Sequence, residues 1–275
     1  KPLMLNTQPP THFLISGGTQ GLVGWWMVRS GLKDPKETDN PHAVPRVSPY
    51  RLAGHLASAF AIYVTLVWTT LSLAQPSPLL ASYVGRPELL SAAQRLRGVT
   101  HPLAALIGIT ALSGAFVAGN DAGRAYNTFP TMNGAWVPEE YFERPHGWLR
   151  SCFENTAAVQ LHHRALALTT AASVLGVWTY GSRLPLPPAT KTALHLLLAG
   201  TTLQVTLGVS TLLTYVPVSL GSAHQAGALG LFTVVLGLMH TLRRPTVRAS
   251  RGPGLLYPAL LLGVAGVGVA VSQQQ

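Results

Sequence analysis

The chain has 275 residues, of which 48% are hydrophobic and 10% are charged. Soluble domains contain about 25% charged residues, so this composition, together with a mean hydropathy of +0.30, excludes an ordinary soluble domain and indicates a membrane protein. The formal net charge of +10 would suggest a nucleic acid partner in a soluble protein, but loop topology explains it better, and we expect no nucleic acid binding. A single cysteine, Cys152, excludes a disulfide framework and a cysteine-rich metal site, and we interpret it as inert.

Apolar stretches of the kind that cross a bilayer recur along the chain. They are residues 13–28, 52–74, 102–119, 156–180, 192–213, 218–242 and 255–271. The first is short and rich in glycine, and the last is only marginally long enough to span a membrane. The pattern predicts an all-α fold, a polytopic transmembrane helix bundle.

Positive charge is divided unevenly between the two sets of loops. With the N-terminus on side one and alternating spans, the side-one loops from residue 86 onwards carry nine Arg and Lys residues and one acid, Glu88. The other eight acidic residues fall in side-two loops. An excess of Arg and Lys marks the side from which a membrane protein inserts, so side one is predicted to be the cytoplasm or the mitochondrial matrix.

The longest loop, residues 120–154 on side two, is also the most aromatic. It is either an interfacial aromatic belt with a short surface helix or a lid over a ligand pocket, and the sequence leaves both interpretations open.

A pattern of a glutamine, a glycine four residues later and a histidine in the next apolar stretch occurs twice. The two sets are Gln20, Gly24 and His55, and Gln204, Gly208 and His224. This recurrence predicts two related helical halves. Since the second set is preceded by a helix that opens with His163, the repeat also predicts a histidine-bearing helix upstream of Lys1.

Three histidines, His55, His163 and His224, lie inside stretches that enter the membrane from side two. Ionisable residues at membrane depth are functional-site candidates by default. Neutral imidazole is a common ligand of heme iron, and the spans contain no carboxylate that would favour zinc. We therefore favour heme held between the helices of His163 and His224, with hydrogen-bonded core histidines as the alternative.

The other histidines are interpreted by their place in the topology. Histidines at side-one ends of the spans are expected to be interfacial or capping residues, and loop histidines to be solvated. The first group is His12, His101, His195 and His240, and the second is His42 and His146.

Several longer motifs resemble those of the heme A synthases of the mitochondrial type. The motifs are GGTQGLVGWWMVRSGL (17–32), VSPYRLAGHL (47–56), LSGAFVAGNDAG (112–123), YNTFP (126–130), FENT (153–156), VQLHHR (159–164), GVSTLLTYVP (208–217) and AHQ (223–225). The resemblance extends from about residue 13 to residue 244.

The resemblance implies two pseudo-repeated four-helix halves and a membrane oxidoreductase that converts heme O to heme A, by oxidation of a ring methyl group to a formyl group, for cytochrome c oxidase assembly. It implies that His163 and His224 are axial ligands of a heme b cofactor in the second half. His55 and a histidine upstream of Lys1 would hold the iron of the substrate heme O in the first half, which is incomplete here. His162 stands where the family usually has an aspartate, and no catalytic residue is identified.

The predicted organisation has four segments. They are an incomplete substrate-heme half (1–119), an outer-side loop (120–155), a heme b half (156–244) and a variable tail with an additional apolar stretch (245–275). The expected location is the mitochondrial inner membrane, with the heme sites toward the intermembrane space. Heme O synthase and an electron-transfer protein are expected partners, besides the lipid bilayer, and a homo-oligomer is compatible with the sequence.

Two other functions fit part of the pattern. The first is a bis-histidine cytochrome b that binds heme or transfers electrons without modifying heme, and the second is a transporter-like bundle with core histidines. Arg164, beside His163, is expected to pair with a heme propionate or with Glu154.

Overall fold

The computed structural model describes residues 11–31, 47–143 and 147–244. These residues form α-helices and two short 3-10 helices, Leu79–Tyr83 and Glu139–Phe142, and they contain no β-strand. The predicted all-α fold is therefore confirmed. The α-helices are α1 (Thr11–Arg29), α2 (Pro49–Ala74), α3 (Pro87–Gly119), α4 (Ala122–Ala125), α5 (Trp148–Glu154), α6 (Thr156–Ser182), α7 (Pro188–Leu213) and α8 (Val218–Thr241).

Four of the described helices, α2, α3, α7 and α8, are long and apolar enough to cross a membrane. The sequence also predicted spans at α1 and α6. Both are helical over almost the predicted ranges, but neither is among the four, because polar residues such as His162, His163 and Arg164 interrupt the apolar sequence of α6. Nevertheless α6 packs between α3 and α7. The predicted stretch 255–271 lies outside the described residues.

Local signals explain where several helices begin. Proline occupies the first turn of α2, α3 and α7, where its missing N–H removes no helical hydrogen bond. The side chain of Asn155 caps α6 by accepting a hydrogen bond from the Ala158 amide at 3.0 Å. This cap separates α5 from α6 and places His162 and His163 about two turns from the start of α6.

The main hydrophobic core lies in the inner, side-one half of the bundle formed by α3, α6, α7 and α8. Its fully buried side chains include Leu96, Val174, Leu194, Val235 and Leu238. Along α8, residues 231–241 are buried almost without exception, whereas residues 218–230 are half-buried or exposed. Burial of apolar surface therefore stabilises the inner layer, and the outer layer, which contains His224, is packed more loosely.

Helix α2 joins this core through two contacts with α8. The hydroxyl groups of Tyr63 and Thr233 are 2.6 Å apart, and the rings of Phe60 and Phe232 stack with their centroids 5.3 Å apart. At the outer end, Gly119 of α3 lies against Pro49 of α2, and a Cβ atom at position 119 would be 2.8 Å from the Pro49 Cα. Only glycine allows this approach of the two backbones.

Gly119→Ala is expected to lower the free energy of unfolding by about 1–3 kcal/mol, because the added methyl group meets backbone that cannot turn away. Gly98→Ala in the same helix is the matched control, since nothing lies within 4 Å of its Cβ position. Thermal unfolding in detergent measures both variants. Equal stability of the two variants would contradict the assigned contact between α2 and α3.

Candidate functional site

His163 of α6 faces α3, where it meets Ser113. The Ser113 Oγ is 2.6 Å from the His163 Nδ1 and donates its own proton to the Thr110 carbonyl oxygen at 2.7 Å. Because the Ser113 proton is used in this way, its oxygen accepts a hydrogen bond from the Nδ1–H of His163. The ring is thereby held in the tautomer whose Nε2 lone pair is available to a metal ion.

His224 of α8 faces α7 and meets Gln204. The Gln204 Nε2 donates to the His224 carbonyl oxygen at 2.9 Å and lies 3.1 Å from the His224 Nδ1. The Gln204 Oε1 is buried without a hydrogen-bond partner among the described residues. The Gln204 amide group therefore holds His224 through both its ring and its backbone carbonyl group.

His163 and His224 lie close enough for the charges of their rings to interact. They come from two helices, α6 and α8, that both pack against α3 and α7. One histidine from each of two helices is a donor set that could hold a heme iron. Among the described residues no group of three or more His, Cys, Asp and Glu side chains could hold a metal ion, so His55 does not join the pair.

His55 instead has a site of its own between α1 and α2. The Gln20 Nε2 lies 3.1 Å from both the Nδ1 and the carbonyl oxygen of His55. The Ser58 hydroxyl donates to the Gln20 Oε1 at 2.7 Å. The glutamine and histidine of the first helix pair are therefore joined in the same way as Gln204 and His224 in the second.

The glycines of the repeated pattern are the surfaces on which the two histidine rings lie. A Cβ atom at Gly24 would be 3.0 Å from the His55 Cε1, and one at Gly208 would be 2.9 Å from the His224 Cε1. The spacing of four residues places the glycine one helical turn from the glutamine, on the same helix face. The glutamine, the glycine and the histidine of the pattern thus form one packing unit. The structure contains it twice, as Gln20, Gly24 and His55 and as Gln204, Gly208 and His224.

The two units differ at one neighbouring position. Ser58 supplies the hydroxyl that the Gln20 oxygen accepts, whereas Gly227 occupies the equivalent place three residues after His224. A Cβ atom at position 227 would collide with the Gln204 Oε1. Glycine at 227 therefore both allows Gln204 its position and leaves its oxygen without a hydroxyl partner.

Arg164 follows His163 in α6. Glu154 is one of its two expected partners, but Arg164 does not pair with Glu154. Its Nη1 donates to the carbonyl oxygens of Pro130 and Thr131, each at 3.2 Å. Its Nη2 donates to those of Tyr126 at 3.1 Å and Thr128 at 2.7 Å. The guanidinium group, with its planar set of donors, fixes the loop that follows α4, a role that sequence reasoning missed because carbonyl groups leave no signal in the sequence.

Glu154 has other partners at the outer surface. Its Oε1 accepts hydrogen bonds from the Arg150 Nε at 2.7 Å and from the Tyr50 hydroxyl at 3.0 Å. The ring of Tyr50 also packs edge-on against Phe116 and lies next to Phe153. This cluster joins α2, α3 and α5.

The remainder of the outer loop is anchored to α6. Gln160 is buried and donates to the carbonyl oxygens of Ala122 and Tyr126, at 2.5 and 2.8 Å. Burial first, and then the carboxylate of Glu140, raise the pKa of the Tyr126 phenol, so that it stays a neutral donor.

Trp136 and Trp148 are exposed. Exposed tryptophans on a segment fixed to the bundle are typical of an aromatic belt, while the alternative of a lid stays a prediction.

His162 points away from His163, as expected for adjacent residues of a helix. Its Nε2 lies 3.4 Å from the Tyr141 hydroxyl, and the two rings meet edge-on. His162 thus belongs to the contact between α6 and the outer loop rather than to the histidine pair.

Among the side-one histidines, His240 differs from the interfacial position expected for it. It is 1% exposed, its Nε2 lies 3.2 Å from the Ser72 hydroxyl, and its ring meets Trp68 edge-on. Packing of α2 over the last turn of α8 causes this burial. His195 is exposed and its Nδ1 accepts a hydrogen bond from the Trp178 indole at 3.0 Å. The side chains of His12, His42 and His146 lie outside the described part, as does the tail of residues 245–275.

The sequence of the whole chain was compared with known proteins. Residues 6–236 match COX15-CtaA, the family of cytochrome oxidase assembly proteins. The chain belongs to this family. No solved structure matches it.

Curated relatives of the chain come from plants, animals, fungi and bacteria. Heme A synthase COX15 of Arabidopsis thaliana is 52% identical over 245 residues, which are 89% of this chain and 51% of the relative. Heme A synthase of Nitrosospira multiformis is 46% identical over 231 residues, 83% of this chain and 59% of the relative. A heme A synthase-mitochondrial ferredoxin fusion protein of Schizosaccharomyces pombe is 40% identical over 247 residues, 82% of this chain and 40% of the relative. The chain spans about half the length of the curated relatives it matches.

Arg164→Lys is expected to loosen the loop of residues 126–131, because a single ammonium group cannot reach four carbonyl oxygens that a planar guanidinium group reaches. We expect a loss of about 1–3 kcal/mol in the free energy of unfolding and faster amide hydrogen exchange in this loop. Arg150→Lys, at an exposed ion pair, is the control and should leave exchange there unchanged. Unaltered exchange in Arg164→Lys would contradict the assigned role.

Proposed function

We propose that the protein is a heme A synthase-type membrane oxidoreductase, which oxidises a methyl group of heme O to the formyl group of heme A for cytochrome c oxidase assembly. The observation that carries the proposal is the pair of histidines on two helices, His163 with its tautomer held by Ser113 and His224 held by Gln204. The names of the relatives, heme A synthases at 40–52% identity, support the same activity.

The residues of the pair fit a heme b cofactor. His163 and His224, on separate helices, would hold the heme iron through their neutral imidazoles, and a bound heme of this kind would supply one-electron transfer. Ser113 and Gln204 orient the rings, and Gly208 lets the His224 ring lie against the backbone of α7. These residues bind and orient; the described part identifies no residue that abstracts a proton from the substrate.

We assign the substrate heme O to the first half of the molecule, at His55. The assignment is supported by the repeated packing unit, because Gln20 and Gly24 hold His55 as Gln204 and Gly208 hold His224. In this proposal residues 1–119 belong to the substrate half, residues 120–155 form the outer loop, and residues 156–244 form the heme b half. The relatives from eukaryotes and the excess of Arg and Lys on side one favour a location in the mitochondrial inner membrane, with both histidine sites toward the intermembrane space.

The reaction requires an electron-transfer partner. Conversion of a methyl group to a formyl group removes four electrons from the carbon atom and adds one oxygen atom. With dioxygen as the oxidant and oxygen source, the balanced change consumes two O2 molecules, four protons and four further electrons and releases three water molecules, so another protein has to deliver those electrons. The fungal relative is named as a fusion with a mitochondrial ferredoxin. We therefore propose an iron–sulfur protein of the ferredoxin class as the partner of this chain.

The proposal is tested by expressing the full-length protein in a host that lacks heme A synthase and extracting the hemes. Heme A is expected with the unaltered protein, and heme O alone with His163→Ala or His224→Ala, because either change removes an axial ligand. His195→Ala, which removes an exposed histidine bonded to Trp178, is the control and should retain heme A. Heme O alone with a stable unaltered protein would refute the proposal.

The role of Gly208 gives a second prediction. Gly208→Ala pushes the His224 ring away from α7, since the new Cβ would be 2.9 Å from its Cε1, and we expect a several-fold lower heme b content with little loss of thermal stability. Gly221→Ala, on α8 with nothing within 4 Å of its Cβ position, should keep full heme content. The heme content per protein is measured from the reduced-minus-oxidised spectrum. The same heme content in both variants would rule out ligation by His224 in this orientation.

One observation favours a second candidate, a cytochrome b that binds heme without modifying it. In the described part His163 and His224 form a complete pair, whereas the contacts of His55 are with Gln20 and Gly24. The heme extraction distinguishes the two functions, because a cytochrome b would leave heme O unchanged while giving a normal heme b spectrum.

A further inference from the structure

A cavity of about 550 Å³ lies at the outer end of the α1–α2 pair. It is lined by Trp26, Arg29, Ser30, Ser48 and Arg51. Arg51 precedes His55 by four residues in α2, so the two side chains share a helix face and lie about 6 Å apart along the axis. The cavity is therefore on the outer side of His55, one helical turn nearer to the surface.

Arg51 is held in place at this cavity by α1. Its Nη1 donates to the Trp26 carbonyl oxygen at 2.8 Å, and its guanidinium carbon lies 4.5 Å from the centroid of the Trp26 ring. The Trp26 carbonyl belongs to the last turn of α1, where carbonyl groups lack amide partners in the helix. The Ser30 amide, which would be its helical partner, donates to the Met27 carbonyl oxygen. This hydrogen bond orients the guanidinium group, and among the described residues no other hydrogen-bond acceptor of Arg51 is found, so its other N–H donors are available to a ligand.

Arg29 supplies a second positive charge to the same cavity. It is exposed, and its guanidinium carbon lies 5.4 Å from the centroid of the Trp25 ring. Within residues 11–31, 47–143 and 147–244, the ion pair is Arg150–Glu154, and neither Arg29 nor Arg51 pairs with a carboxylate. Two guanidinium groups that face one cavity without a neutralising acid from the described part favour an anionic ligand.

The second copy of the packing unit has no such charges. Leu213 follows Gly208 by five residues, as Arg29 follows Gly24. Leu220 precedes His224 by four residues, as Arg51 precedes His55. The positive charge is thus specific to the half that contains His55, and it does not follow from the fold that the two halves share.

We propose that Arg29 and Arg51 bind the carboxylate groups of the tetrapyrrole substrate, and this inference rests on the function proposed above. A heme carries two propionate groups on one edge, and guanidinium groups bind carboxylates through paired, charge-assisted hydrogen bonds. Binding of this edge at the surface fixes which edge of the macrocycle points into the membrane and so which methyl group is presented for oxidation. The exposed position of Arg29 suits a ligand that enters and leaves, which a resident cofactor does not need to do.

The test compares two ligands that differ only in charge, iron protoporphyrin with free carboxylates and its dimethyl ester. Each is titrated into the full-length protein, purified with its resident heme, and binding is followed by difference absorbance. We expect the unaltered protein to bind the free acid at least about tenfold more tightly than the ester, since each charge-assisted hydrogen bond lost contributes to this ratio. The variant with Arg29→Gln and Arg51→Gln should lose this preference while its affinity for the ester stays the same.

The controls separate this inference from the function on which it rests. His55→Ala tests the assigned iron ligand, and loss of the spectral shift in that variant supports the substrate half whatever the arginine variants do. Arg150→Gln removes an outer-side charge that does not line the cavity and should keep the preference for the free acid. The acid-to-ester ratio is measured within each variant, so a change in the fraction of folded protein does not alter it.

Three results would overturn the inference. The first is an unchanged preference for the free acid in the double variant, and the second is an equal loss of affinity for both ligands. The third is that the double variant loses binding to phosphatidylglycerol vesicles while its acid-to-ester ratio stays that of the unaltered protein. This result would identify the cavity as a site for lipid headgroups.

Discussion

An imidazole ring inside an apolar helix bundle needs a hydrogen-bond partner that fixes its orientation, and this requirement organises the outer layer of the molecule. Ser113 meets it for His163, Gln204 for His224, and Gln20 for His55. In the two glutamine units the ring is also pressed against a glycine of the neighbouring helix. The positions of α1 against α2 and of α7 against α8 therefore depend on side chains that also hold the candidate ligands.

The bundle divides stability and function between its two layers. Apolar side chains such as Leu96, Leu194 and Leu238 fill the inner layer, where burial alone is sufficient to hold the helices together. The outer layer contains the histidines and is held by polar contacts, of which the bonds from Arg164 and Gln160 to the loop are examples. Such a division lets the outer surface carry a binding site without weakening the core.

The two copies of the packing unit show how one arrangement can serve two purposes. Both hold a histidine with a glutamine and a glycine, but their surroundings differ. The first has Ser58 beside its glutamine and Arg29 and Arg51 at its outer end, and the second has Gly227, Leu213 and Leu220 in the same places. These differences lie outside the contacts that the repeat needs, and so the halves could diverge in the ligand they accept while keeping the same backbone.

The sequence by itself determined the helical class, the positions of the apolar helices and the three candidate histidines, because composition and periodicity are local properties of the chain. The predicted stretch 102–119 is nevertheless only the second part of α3, which begins at Pro87. The recurrence of glutamine, glycine and histidine also indicated that two helix pairs are related. Tertiary structure alone decided that Ser113 partners His163, that Arg164 binds loop carbonyls, and that His240 is buried under α2. Each of these contacts joins helices or loops that are remote in the chain, or involves backbone groups that every residue carries, and for that reason no local pattern predicts them.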